Sequence, residues 1–134
     1  MMNRVVISLA SNCDQVQHLQ QARQCLAQML SACHFTEAIW TEPYSSTVAS
    51  SAMYLNQIVA ATTALTVDEL TQALKDMERQ MGRTQEDRRR GIVRIDLDLL
   101  QYNRQRYHLR DWDRPYIQTL LPSIEPFLCA SFSP

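Results

Sequence analysis

The sequence lacks the features that mark several common protein classes. No apolar run in its 134 residues approaches the ~18 residues that span a bilayer, so a membrane-spanning helix is excluded. The N-terminal residues lack the long apolar segment of a secretory signal peptide, and we expect a cytoplasmic location. The four cysteines form no Cys-x-x-Cys pair and no Cys/His cluster with zinc spacing, which disfavours a zinc site.

An excess of basic charge is also absent. Thirteen basic and fourteen acidic residues give a net charge of -1, which disfavours a general nucleic-acid-binding protein. Lys75 is the single lysine, and five of the twelve arginines fall between Arg83 and Arg94. Guanidinium groups bind phosphates and carboxylates in a bidentate manner, so this bias indicates anion binding. For residues 88–90 taken alone, a solvated loop is the favoured interpretation.

The hydrophobic periodicity predicts one α+β domain over residues 1–134, with a short tail after about residue 104. Strands are expected at 4–9, 35–41, 54–62 and 92–100, and helices at 15–32 and 66–81. This β-α-β-β-α-β order is typical of the ferredoxin-like fold, a four-stranded antiparallel sheet with both helices on one face.

Local signals refine the expected boundaries. Asp14 is a candidate N-cap of the first helix, and Thr66 with Glu69 forms the capping box of the second. The segment 83–90 contains no apolar residue, so we expect a solvated loop there. A short helix is expected near 116–121, with irregular structure after it.

The strand that ends near Leu100 carries the strongest chemical signal. Alternation sends Arg94, Asp96 and Asp98 to the face opposite the apolar side chains, with the two carboxylates roughly 6.5–7 Å apart at Cα. Divalent cations relieve such repulsion, and magnesium prefers oxygen ligands. Ordinary solvated alternation, with Arg94 paired to either aspartate at ~0–1 kcal/mol, is an equally good interpretation of this motif alone.

Several short motifs occur together, in order, between residues 4 and 100. They are Ile7-Ser8-Leu9-Ala10-Ser11-Asn12, Thr41-Glu42-Pro43, Tyr54-Leu55-Asn56, Glu78-x3-Gly82-Arg83 and Arg89-x-Gly91-x3-Ile95-Asp96-Leu97-Asp98. In combination they resemble the 6-hydroxymethyl-7,8-dihydropterin pyrophosphokinases. The resemblance implies a ferredoxin-like fold and transfer of pyrophosphate from ATP to the hydroxymethyl group of a reduced pterin, which releases AMP in folate synthesis.

The resemblance also implies roles for individual residues. Asp96 and Asp98 would hold two magnesium ions, and Arg83 and Arg89 would clamp the triphosphate in catalysis. Other residues implied on the ATP side are Glu78, Arg94 and His108. Residues implied in the pterin pocket are Thr41, Pro43, Tyr44, Tyr54, Asn56 and Tyr116.

Departures from the family pattern leave alternatives open. Val93, Gln85 and Arg90 replace an arginine, a basic residue and an aromatic residue of the family, and the tail is short. The runner-up function is therefore a catalytically impaired homologue that binds pterin or nucleotide without turnover. A ferredoxin-like RNA-binding domain is disfavoured, because the exposed face of the last strand carries carboxylates rather than aromatic side chains. Expected partners are small molecules, with no nucleic acid and no membrane, and we expect a monomer or weak dimer.

Overall fold

An antiparallel sheet organises the computed structural model, in which residues 2–43 and 52–129 are described. Its strand order is β2-β4-β1-β5-β6, and β3 also pairs with β4. The strands are β1 Asn3–Ser11, β2 Ser31–Phe35, β3 Ile39–Thr41, β4 Tyr54–Thr63, β5 Asp96–Tyr102 and β6 Gln105–Arg106. The helices are α1 Gln15–Met29, α2 Val67–Gln80, α3 Gln85–Arg89, α4 Pro115–Leu120 and α5 Glu125–Cys129.

The ferredoxin-like order is confirmed, with six strands in place of the four expected. The first helix ends at Met29, before the predicted residue 32, so β2 starts at Ser31 and only its last residue lies in the predicted strand 35–41. The strand is interrupted between β2 and β3, because four steps from Phe35 to Ile39 face three steps from Val59 to Asn56. Thr36 fills this bulge, where its backbone N–H donates to the Ile58 carbonyl at 3.0 Å and its hydroxyl accepts the Ile58 N–H at 3.2 Å. The sixth strand is a two-residue addition that pairs with the end of β5.

The two long helices pack on one face of the sheet, as predicted. Ile95, Leu97 and Leu99 belong to this core, so the alternation proposed for the last strand holds from residue 95 onward. The helices contribute the fully buried Leu19, Leu26 and Leu70, among others. These contacts fix α2 alongside β5, which determines where the polar residues of both elements meet.

The tail is ordered, and the expectation of irregular structure after residue 121 was wrong. Trp112, Ile117, Leu120 and Ile124 are buried together against the opposite face of the sheet. Three of them follow helical spacing, although the prolines of this segment limit each helix to one or two turns. The strands contribute Val6, Ile58, Ala60 and Leu100 to this second core.

Two of the local signals had opposite outcomes. The capping box is present, since the Thr66 hydroxyl accepts the Glu69 N–H at 3.2 Å and the Glu69 carboxylate accepts the Thr66 N–H at 2.9 Å. Asp14 occupies the N-cap position of α1 in a left-handed conformation, φ 45°, but its side chain caps no backbone N–H. Among the helices of the described ranges, none has both the length and the apolar character needed to cross a membrane.

The second core predicts that the tail contributes to global stability. Ile117 is fully buried, so Ile117→Ala should lower the free energy of unfolding by ~2–5 kcal/mol. Val16 is 59% exposed on α1, and the control Val16→Ala should change it by less than ~0.5 kcal/mol. Urea titrations measure both variants, and equal stabilities would contradict the docking of the tail.

Candidate active site

The side chains of one sheet face change from apolar to polar along each of its three central strands. The apolar ends, at Val6, Ile58 and Leu100, lie under the tail. The other ends carry Ser8 and the small Ala10 on β1, Tyr54 and Asn56 on β4, and Asp96 and Asp98 on β5. Register brings them together, because Ser8 pairs with Asp98 and Ala10 pairs with both Asp96 and Asn56. The tail therefore leaves a polar surface exposed at one end of this face.

Two cavities meet at the carboxylates of this surface. The α2 cavity, about 670 Å³, runs along α2 and β5 and includes Glu78, Arg83, Arg88 and His108 in its walls. The tail cavity, about 260 Å³, lies between the sheet and the tail and includes Pro43, Tyr54, Asn56, Asp111, Arg114 and Tyr116. Asp96 and Asp98 line both cavities. A group bound by these two side chains would therefore contact ligands in both cavities.

The electrostatics of the pair favour a bound cation. Burial raises the pKa of Asp98 to about 6, and the charges of Asp96 and Asp111 add to this effect. The imidazole of His108 lowers the same pKa, with 3.9 Å between its Nε2 and Asp98 Oδ1. An ionised Asp98 is thus short of positive charge at neutral pH.

Carboxylate oxygens are the ligands that magnesium prefers, so the donor set fits this ion. Among the described residues, no third His, Cys, Asp or Glu completes a three-ligand metal cluster with Asp96 and Asp98. Magnesium commonly retains waters and takes substrate phosphates as its remaining ligands, which suits a site with two protein carboxylates.

Glu78, on α2, links Arg83 to the start of β5. One of its carboxylate oxygens accepts the Leu97 N–H at 2.8 Å, and the other lies 3.0 Å from Arg83 Nη1. The same Arg83 nitrogen lies 3.5 Å from Asp96 Oδ1. Burial raises the pKa of Glu78 to about 7, against the opposing effect of the Leu97 hydrogen bond. Glu78 lines the α2 cavity, but its carboxylate bonds to the Leu97 N–H and to Arg83, so it acts on the cavity through Arg83.

The arginine-rich segment is more ordered than a solvated loop, which corrects that expectation. Thr84 caps the short helix α3 by accepting the Asp87 N–H at 3.1 Å. Arg88 faces the α2 cavity, while Arg89, an exposed neighbour on the helix, is not among the described residues that line it.

The alternative interpretation, in which Arg94 pairs with Asp96 or Asp98, differs from what the structure shows. Arg94 Nε donates to the Asp87 carboxylate at 2.9 Å, and this pair holds the pKa of Asp87 below its usual range. The strand begins at Asp96, so regular alternation does not extend to residue 94. Arg94 therefore stabilises α3 through its contact with Asp87.

Asn12 anchors the other end of this segment. Its carboxamide oxygen accepts the Val93 N–H at 2.6 Å, and its amide group donates to the Gly91 carbonyl at 2.8 Å. The Asn12 backbone N–H donates to the Val93 carbonyl at 2.8 Å. Asn12 belongs to a motif of the resemblance, but nothing in the sequence indicated this clamp between β1 and the entry to β5.

The residues predicted for a pterin pocket gather at the tail cavity. Pro43, Tyr54, Asn56 and Tyr116 line it, and Thr41 supports it by accepting a hydrogen bond from Asn56 Nδ2 at 2.7 Å. Burial and the charge of Asp96 raise the pKa of Tyr54. Tyr44 lies outside the described residues.

The sequence interpretation missed Asp111 and Arg114 in the tail cavity. They form an ion pair with 2.8 Å between Asp111 Oδ1 and Arg114 Nε. Arg114 lies two residues before Tyr116, which was assigned to the pterin pocket, so its position and charge were the available signal. The sequence around Asp111 gave no signal of a role in the site, because aspartates are common in surface turns.

Comparison with known proteins finds a matching family and similar proteins. A family model described as 7,8-dihydro-6-hydroxymethylpterin-pyrophosphokinase matches residues 6–126. The mitochondrial folate synthesis bifunctional protein of Pisum sativum is 35% identical over 127 residues, which cover 87% of this chain and 24% of that protein. The folate synthesis bifunctional protein of Arabidopsis thaliana is 29% identical over 123 residues, covering 84% and 25%. The chain thus spans about a quarter of each relative.

The raised carboxyl pKa values predict a dependence of stability on pH. A carboxyl with a higher pKa in the folded chain stabilises it fully below the unfolded pKa and loses that contribution as pH rises. For Asp98 this loss extends from pH 3.8 to about 6, and for Glu78 from 4.5 to about 7. In EDTA, the free energy of unfolding should therefore fall through this range because of these two groups.

The variant Asp98→Asn isolates the first contribution. Its stability relative to wild type should increase between about pH 4 and 6, because the loss from Asp98 is removed. Denaturant titrations across pH measure this, with Asp68→Asn on the exposed surface of α2 as the control. Parallel profiles for wild type and Asp98→Asn would contradict the prediction.

Proposed function

The chain belongs to the 7,8-dihydro-6-hydroxymethylpterin-pyrophosphokinase family, and we propose that it transfers pyrophosphate from ATP to 6-hydroxymethyl-7,8-dihydropterin, releasing AMP, as a step in folate synthesis. The observation that carries this proposal is the position of Asp96 and Asp98, which line two cavities of different character. One bound ATP and one bound pterin would then meet at the carboxylates.

The composition of each cavity supports this assignment of substrates. The larger α2 cavity includes Lys75, Arg79, Arg83, Arg88 and His108, so cationic and hydrogen-bonding groups are available to a triphosphate. The smaller tail cavity combines two tyrosines and a proline with the amide of Asn56. The tyrosines supply flat ring surfaces and Asn56 supplies amide donors and acceptors, a combination that suits a planar heterocycle such as a pterin.

We assign two magnesium ions to Asp96 and Asp98. When bound, they would supply positive charge that neutralises phosphate oxygens and favours the ionised form of the attacking hydroxyl. Burial and the like charge of Asp96 raise the pKa of Asp98, which gives the chain an electrostatic reason to bind these cations.

The protein side chains mainly position the substrates. Arg83 and Arg88 contact phosphate oxygens from the wall of the α2 cavity, with Glu78 holding Arg83 and Asn12 anchoring the segment that carries Arg88. The hydroxymethyl oxygen attacks the β-phosphorus, the bond to the α,β-bridging oxygen breaks, and AMP departs with that oxygen and its electron pair. The hydroxyl proton passes to water. Alignment and charge neutralisation suffice for such transfer, and no side-chain nucleophile is required.

A binding module without turnover is the second candidate. Val93 supports it, because this uncharged residue replaces an arginine of the family pattern. The position of Arg88 on the α2 cavity favours the enzyme, since it adds a guanidinium from α3 to those of Arg79 and Arg83. A cytoplasmic location stays a prediction, and one relative carries a mitochondrial name. The single-domain organisation and the monomeric or weakly dimeric state also stay predictions.

The proposed reaction is tested by AMP release from ATP, magnesium and 6-hydroxymethyl-7,8-dihydropterin, with products separated by chromatography. Wild type should form AMP and the pyrophosphorylated pterin in equal amounts. Asp98→Asn should reduce the rate by about 10²-fold or more, because the charge that binds the metal is lost. Asp68→Asn serves as the control and should retain wild-type activity.

Two outcomes would contradict the enzyme. Pterin binding without AMP formation, measured by calorimetry, would favour the binding module. Undiminished turnover in Asp98→Asn would remove this carboxylate from the catalytic site.

The arginines of α3 provide a second test, because neighbours on one helix differ in their relation to the α2 cavity. Arg88→Ala should raise the KM for ATP by about tenfold, as expected for the loss of a hydrogen bond to a charged group, and should change the KM for pterin little. Arg89→Ala is the matched comparison, with the same change of charge one position along. A larger effect of Arg89→Ala would return the phosphate contact to the residue predicted from sequence.

A further inference from the structure

An ion pair closes the segment between α2 and β5 on itself. Arg94 Nε donates to Asp87 Oδ2 at 2.9 Å, and Arg94 Nη2 lies 3.5 Å from Asp87 Oδ1. The Asp87 side chain is 8% exposed and the Arg94 side chain is 35% exposed. The carboxylate is thus largely shielded from water, and two guanidinium nitrogens face its two oxygens, which fixes their relative orientation.

The Arg94 side chain reaches Asp87 by crossing over Gly82, at the start of the segment. A Cβ atom at position 82 would lie 3.2 Å from Arg94 Cδ and 3.6 Å from its Nε, so the glycine and the arginine are in close contact. Gly82 also has φ 102°, a conformation that residues with side chains rarely adopt. The two ends of the segment therefore lie side by side, and Arg94 connects them to its middle.

Asp87 is fixed through its backbone as well as its side chain. Its N–H donates to the Thr84 hydroxyl at 3.1 Å, and its carbonyl accepts the N–H groups of Arg90 at 3.2 Å and of Ile92 at 2.8 Å. Arg88 follows directly in the chain and lines the α2 cavity. The position of the Arg88 guanidinium therefore depends on how Asp87 is held.

Arg83 and Arg88, which both line the α2 cavity, differ in their support. Arg83 Nη1 lies 3.0 Å from the carboxylate of Glu78 on α2, so its position is set outside α3. Arg88 belongs to α3, whose five residues are too few to form a stable helix without tertiary contacts. The pair of Asp87 and Arg94 supplies such a contact from the residue next to Arg88.

We propose that Asp87 and Arg94 are positioning residues, which hold α3 against the end of α2 so that the Arg88 guanidinium contacts the phosphates of ATP. The inference rests on the proposed function and adds to it two residues that act without touching the substrate. Arg94, which the resemblance placed on the ATP side, then acts on ATP only through Asp87 and Arg88.

The opposite charges of the pair separate positioning from general electrostatics. If each charge acted directly on a triphosphate, Asp87→Asn would strengthen nucleotide binding and Arg94→Gln would weaken it. Positioning predicts that both variants weaken binding, because either one releases α3. The combined variant has the net charge of wild type and should still bind weakly.

The test is calorimetric titration of the chain with magnesium and α,β-methylene-ATP, which measures nucleotide binding without turnover. Asp87→Asn and Arg94→Gln should each raise the Kd by about fivefold, a part of the roughly tenfold loss expected for Arg88→Ala. The combined variant should lie within about twofold of either single variant, because the two residues act as a unit. The affinity for 6-hydroxymethylpterin alone should change by less than about twofold in each variant.

Matched variants show whether the effect passes through Arg88. Glu86→Gln removes a carboxylate from an exposed position of α3 and should leave the Kd unchanged. In the Arg88→Ala background, Asp87→Asn should raise the Kd by less than about twofold more. Thermal unfolding checks that each variant folds, and Asp87→Glu, which keeps the charge, should bind the analogue more tightly than Asp87→Asn.

Each contrary outcome identifies what has failed. Opposite shifts for Asp87→Asn and Arg94→Gln, equal Kd values for Asp87→Asn and Glu86→Gln, or a full additional loss in the Arg88→Ala background would overturn the positioning role. Failure of wild type to bind the analogue would overturn the ATP site, and this inference with it. Normal binding of the analogue without AMP formation from ATP would overturn the proposed reaction and leave the positioning role standing.

Discussion

The repulsion between two carboxylates on one face of a strand is the constraint on which the site depends. Asp96 and Asp98 lie two residues apart on β5, and their pairing with β1 fixes them beside the polar end of the sheet. Burial and mutual charge raise the pKa of Asp98 to about 6. Arg83 and His108 offset this repulsion only in part. The pair therefore gains by binding a cation, and both cavities border the place where that cation would lie.

The rest of the fold presents this pair to two ligands. The apolar half of the sheet face attaches the tail through Trp112 and Ile117, and the attached tail becomes the wall of the second cavity. On the other side, Glu78 connects α2 to Arg83 and to the start of β5. The same contacts that stabilise the fold thus position the charged groups. This explains why active-site residues and core residues occur on the same strands.

Much of this could be predicted where one local rule decided the outcome. Alternation placed Asp96 and Asp98 opposite Leu97 and Leu99, and the capping box at Thr66 set the start of α2. Prediction failed where the position of a side chain depended on a partner in another structural element. Arg94 binds Asp87 because α3 brings that carboxylate within reach, and α3 was overlooked because its polar residues lack an apolar face.

The tail was the largest omission. Its prolines indicate breaks, and local rules cannot show that Ile117, Leu120 and Ile124 have an apolar sheet face to cover. With the tail undocked, Asp111 and Arg114 could not be assigned to a cavity. Residues that depend on tertiary docking are those least accessible to analysis of one sequence.

The central claim is that one carboxylate pair couples two ligands, and calorimetry of pterin binding tests it most directly. The chain is titrated with 6-hydroxymethylpterin in the presence and absence of magnesium and α,β-methylene-ATP, an analogue that cannot release AMP. The account predicts that the magnesium–analogue complex tightens pterin binding by at least about fivefold, and that EDTA or Asp98→Asn abolishes the effect. An unchanged pterin affinity under all of these conditions would contradict it.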